Sequence, residues 1–172
     1  MMKPNIYLQP VFLKLIAAVM FLCHFGPVAA ETVALPGGFR LGSSLDDAKQ
    51  HAISQGWQLA PVSAELPGSW LVKGQKIGIY VCNDTVASVS QSSPGNLDDF
   101  ARLVSDLQME RGKPQLQIGT FMAGSTRIST VDARFAESGG LNITVQFGSY
   151  AGVLTISTNY FSDTCEERPE VR

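Results

Sequence analysis

Ser44, Asp47 and His51 are spaced i, i+3 and i+7, so one helix can carry a hydroxyl, a carboxylate and an imidazole on neighbouring turns. A serine hydrolase needs those three groups, but it needs the hydroxyl free and the imidazole against it. Here Ser44 and Asp47 already form the pattern of a helix N-terminus. The serine hydroxyl is then committed to backbone N–H groups and the acid takes the third helical position. His51 is left as a surface partner for Asp47 one turn away. The sequence therefore offers no catalytic residue in this trio.

Other reactive groupings are equally sparse. His51 is the only histidine after residue 30, so a metal site would rest on carboxylates such as Asp46, Asp98, Asp132 and Glu166, none at calcium-loop spacing. Gly37-Gly38 and Gly139-Gly140 lack the lysine and following helix of a phosphate cradle. We expect no metal and no cofactor. A pair of carboxylates for hydrolysis is defined by a distance in space, so a small envelope hydrolase is the alternative to a binding role.

The residues best suited to recognition lie in the last third of the chain. If Leu141, Ile143, Val145 and Phe147 face a core with Leu154 and Ile156, the opposite face presents Asn142, Thr144, Gln146, Thr155, Ser157 and Asn159, with Gln115 and Gln117 continuing it. Such a face is polar yet nearly uncharged. It can exchange hydrogen bonds with a glycan, a peptide or a protein without desolvating ions. Trp70, with Tyr80 and Tyr160, is a candidate anchor at its rim, whereas Trp57 directly follows a helix stop and belongs to packing.

Two helices and about seven strands must hold that face. Ser44 starts a helix over residues 44–55, with Leu45, Ala48, Ala52 and Ile53 as its apolar stripe and Gly56 as its stop. Asn96 opens a second, carrying Leu97, Phe100, Leu103, Val104 and Leu107 before Gly112 and Pro114. Alternating segments at 70–73, 76–82, 85–91, 116–118, 131–135, 141–147 and 153–161 read as strands, with Gly74-Gln75 and Asn83-Asp84 as turns. The expected fold class is α+β: a two-layer sandwich with both helices on one face of an antiparallel sheet. The helix starts Ser44-Leu45-Asp46-Asp47 and Asn96-Leu97-Asp98-Asp99 suggest two helix-plus-strands repeats.

These helix signatures resemble a known type of module. Leu41-Gly42-x-Ser44-Leu45-x-Asp47-Ala48-Lys49, Ala52, Gly56-Trp57 and Arg111-Gly112-Lys113-Pro114 are similar to small exported domains of the outer-membrane-assembly lipoprotein (SmpA/OmlA) and β-lactamase-inhibitor-protein type. The resemblance implies a non-enzymatic envelope or extracellular protein that binds other proteins through a sheet face or loops. The sequence departs from the lipoproteins in lacking an acylation site, since Leu22 precedes Cys23. No residue carries over as an inhibitory contact.

Composition agrees with export of one domain. The chain is 172 residues long, 45% hydrophobic and 16% charged, which suits a globular protein. Lys3 and Lys14 precede an apolar run, Leu15 to Phe25, and Val28-Ala29-Ala30 suits signal peptidase, so residues 1–30 read as a removable signal peptide and 31–172 as a single domain. That run is too short for stable membrane insertion, which needs roughly 20 apolar residues. Cleavage removes two lysines and no acid, taking the net charge from −2 to −4. With no basic tract, a nucleic-acid partner is not expected; a protein or cell-envelope component is.

Two cysteines follow the leader, Cys82 and Cys165, and an even pair in an exported protein reads as a disulfide. Closing so long a loop stabilises the fold by about 4–5 kcal/mol in the chain-entropy model. Intact-mass measurement of the unreduced mature protein should show two hydrogens fewer than the reduced form, whereas equal masses would refute the bond.

Overall fold

In the computed structural model, residues 34–163 are described. The expected signal peptide, residues 1–30, and Cys165 lie outside them. A 3₁₀ turn at Pro36–Gly38 precedes helix α1 (Leu45–Ser54). Strands β1 (Leu59–Pro61), β2 (Ser69–Val72), β3 (Ile77–Cys82) and β4 (Thr85–Pro94) follow. Helix α2 (Leu97–Arg111) then leads into β5 (Gln115–Ala123), β6 (Thr126–Ser138), β7 (Leu141–Tyr150) and β8 (Val153–Phe161).

The helices start where side-chain caps allow them to. Ser44 Oγ accepts the Asp47 N–H at 3.1 Å and donates to Asp47 Oδ2 at 2.8 Å. Asn96 Oδ1 accepts from the N–H groups of Asp98 and Asp99, while its own N–H reaches Asp99 Oδ2, a reciprocal capping box. Gly112, at φ 80°, ends α2.

All eight strands form one antiparallel sheet in the order β1-β2-β3-β4-β8-β7-β6-β5. Each half is a meander, and the two meet where β4 pairs with β8, from Ser88↔Phe161 to Pro94↔Thr155. Hairpins Asn83-Asp84, Gly139-Gly140 and Ala151-Gly152 have both central residues at positive φ. This is the geometry that matches the twist of adjoining strands.

Register assigns the faces. Val89 lies opposite Tyr160, which lies opposite Ile143, which lies opposite Phe135, so the apolar sides of both halves face the same way. Under α1, Ala48 and Ala52 pack with Phe39, Val72, Ile77, Ile79, Val81, Val86 and Val89. Beneath α2, Phe100 packs with Ala133, Phe135, Ile143, Val145 and Ile156, its ring 5.8 Å from that of Phe147. Complete burial of a side chain such as Ile143 or Val145 contributes roughly 1.5–3 kcal/mol. Leu97 and Ile53, expected in these stripes, are exposed instead, and the small Ala48 and Ala52 make the close approach of α1.

The two-layer α+β expectation is corrected. About half of the described residues are strand, and the molecule is mainly β: a single large sheet on which two helices cover part of one face. α1 packs on β1 and β4 and α2 on β6 and β7, while nearly all of β5 is exposed. Strand content exceeds expectation because hydroxyl-rich stretches such as Ser92-Ser93 and Thr126–Thr130 continue β4 and β6 where they resemble loop. Threonine is polar, but its branched Cβ suits a pleated surface.

Burial raises the Tyr160 phenol above its usual value, with Arg111 opposing and Glu110 reinforcing the rise. The unfolded chain therefore loses this proton first. Its contribution to stability is complete below about pH 10 and is lost as pH rises through the folded value. Unfolding titrations should show an alkaline fall in stability above about pH 10 that Tyr160→Phe makes shallower; an unchanged slope would contradict this assignment.

Candidate functional site

The face away from the helices is built by alternation within the strands. Rows running across the sheet bring Ser90, Asn159, Thr144 and Arg134 into line, and beside them Ser92, Ser157, Gln146, Asp132 and Gln117. Where the rows cross β8 and β7 they border a depression of about 420 Å³. Arg134, Thr144, Gln146, Ser157, Asn159 and Phe161 line it. A second depression of about 320 Å³ adjoins it through Asn159 and Phe161 and is walled by Tyr80 and Ser88, with Asp163 at its margin.

Of the residues singled out from sequence, Thr144, Gln146, Ser157 and Asn159 line the first depression together. Asn142 and Thr155 share the face in neighbouring rows, Asn142 donating to Asp163 Oδ1 at 3.0 Å. Gln117 lies farther out, opposite Asp132. Trp70 is not part of this surface. It pairs with Ile79 on the helix-bearing face, packs against the α1 core and has the Lys49 ammonium 5.4 Å from its ring centroid.

Sequence reasoning missed Arg134, Phe161, Ser88 and Ser90 as members of this face. The signal was present in β6, where Asp132 and Arg134 alternate with the apolar Val131, Ala133 and Phe135. Ser88 and Ser90 likewise flank Val89. Their membership follows only once β4 and β6 are known to flank the β8–β7 pair.

Charge on the face is largely internal. Asp132 Oδ1 accepts from Gln146 Nε2 at 2.8 Å, and its other oxygen lies 3.6 Å from Arg134 Nη2. The Asp132 side chain is only 14% exposed, while Arg134 is 53% exposed, so the guanidinium is what an incoming group meets. The floor is otherwise amide and hydroxyl, with Phe161 and Tyr80 as apolar contact surface. The Ser92 and Ser157 hydroxyls bond each other at 2.7 Å across the β4–β8 seam.

His51, the one histidine among the described residues, faces elsewhere. Its Nε2 lies 2.7 Å from the Gly37 carbonyl and its ring meets Phe39 edge-on, so the expected Asp47–His51 surface pair is replaced by a structural tie. The residues lining the first depression include no carboxylate. Among the described residues, no three His, Cys, Asp or Glu side chains cluster at metal-binding distance, and no helix is long and apolar enough to cross a membrane. The chain matches no protein-family profile, no curated protein and no solved structure.

The seam hydroxyl pair yields a measurable coupling. Removing one hydroxyl, Ser92→Ala or Ser157→Ala, should cost about 1 kcal/mol, and the double variant less than the sum of the two. Strict additivity in denaturant unfolding would show that the pair does not interact.

Proposed function

We propose that the protein is an exported, non-catalytic binding module whose open sheet face docks a protein or another cell-envelope component. The observation that carries this reading is the double depression along β8. It joins neutral hydrogen-bonding side chains to Phe161 and Tyr80 and has one exposed cation, Arg134. Neutral amides and hydroxyls cost less to desolvate than charges, and the aromatic rings supply apolar contact area. Tyr80 itself is 44% exposed, so that area is accessible. The resemblance to exported protein-binding modules supports the same reading. A disulfide between Cys82, at the end of β3, and Cys165 would tie the segment beyond β8 to the first half of the sheet.

Asn159 borders both depressions and is the residue to change. Asn159→Arg should leave the thermal transition unaltered and weaken capture of the native partner from the envelope fraction by at least about tenfold, or about 1.4 kcal/mol. Ile53→Arg, on the exposed side of α1, should leave capture intact. Equal capture by the native chain and Asn159→Arg would refute docking at this face.

A further inference from the structure

The two edges of the sheet are unlike. β1 is three residues long and ends in Pro61, which has no N–H to offer a neighbouring strand. β5 is nine residues long, has no charged residue and no proline, and pairs with β6 in an unbroken register from Gln115↔Arg134 to Ala123↔Thr126. Sheet edges are ordinarily blunted by a lysine, a proline, a bulge or shortness, because their unpaired N–H and C=O groups otherwise recruit another strand. β5 has none of these.

Its large apolar side chains are also uncovered. Leu116 and Ile118 stand on the helix-bearing face opposite Ala133 and Val131, yet α2 does not cover them: they are 61% and 79% exposed. Met122, on the same face, is 58% exposed, and Phe121, on the open face, 55%.

We propose that β5 pairs antiparallel with β5 of a second copy of this chain, about a two-fold axis at Gly119. This strand is complementary to itself in that register. Leu116 lies opposite the second copy's Met122, Ile118 opposite its Thr120 and Gln117 opposite its Phe121; no charge meets a charge. Directly opposed residues share a face, so the helices of both copies fall on one side and both open faces on the other. Of the registers that do this, the one centred on Gly119 pairs all nine residues, and glycine removes side chains from the axis where the two copies are closest. Leu116, Ile118, Phe121 and Met122 together offer on the order of 1,000 Å² for the pair, the size at which specific interfaces begin. The result is a sixteen-stranded sheet carrying two open faces side by side.

Sedimentation equilibrium of the protein purified from the cells that produce it tests this, with Ile118→Lys and Met122→Lys as variants. Both positions are exposed, so folding should be retained and is checked by circular dichroism. The native protein should show twice the mass of one chain, and each variant at least tenfold weaker association. Amide exchange, which needs no variant, should be slow across Gln115–Ala123 in the native dimer. A native protein that stays monomeric in the high micromolar range, a dimer that both lysines leave intact, or fast exchange along β5 would overturn the proposal. A monomer that instead holds a foreign extended chain on β5, released by Ile118→Lys, would assign the edge to a different partner and equally overturn self-pairing.

Discussion

Strands β4 and β8 are each the last of a helix-plus-four-strand run, and they hydrogen-bond to one another along Ser88–Pro94 and Thr155–Phe161. Neither half has another contact of comparable extent with the other. Without this ladder there would be two four-stranded sheets, each with one helix and a core of moderate size. With it, a single sheet sets the side on which both helices lie, because a pairing shift of one residue would turn the apolar side of one half towards water.

The seam also assembles the candidate site. Asn159 and Ser157 are contributed by β8, Thr144 and Gln146 by β7, and the serines at 88, 90 and 92 by β4. Charges on the surface so assembled are few and largely engaged: Asp132 is hydrogen-bonded by Gln146 and lies near Arg134, and Asp163 at the margin accepts from Asn142. Amides and hydroxyls beside Phe161 and Tyr80 are the ground for the docking proposed above. The loop before α1 is held to the same strand, through Gly42 N–H to the Val86 carbonyl and the Ser44↔Thr85 bridge, so β4 positions α1 as well as the seam.

Local features were readable from sequence where their causes are local. The caps at Ser44 and Asn96, the stop at Gly112, the Asn83-Asp84 turn and the bounds of β8 follow from side-chain hydrogen bonds, positive φ and alternation. The polar row Thr144, Gln146, Ser157 and Asn159 was readable for the same reason. Trp70 could have been placed correctly too, since a turn at Gly74-Gln75 sets it opposite Ile79 and hence on the apolar face. What alternation cannot supply is which strands are neighbours. That β4 meets β8 is a long-range pairing with no local signature, and Arg134, Ser88 and Ser90 become part of one surface only through strand order. The α+β expectation failed on serine- and threonine-rich stretches, whose polarity is that of a loop and whose backbone is that of a strand.

Backbone amide exchange at the seam tests the central claim, a single sheet joined through β4 and β8, most directly. The N–H groups that bridge Ser88–Ser93 and Ile156–Phe161 should exchange as slowly as those of the β7 core at Ile143 and Val145, through one global unfolding event. Seam amides exchanging orders of magnitude faster than both cores would show two independent halves and contradict it.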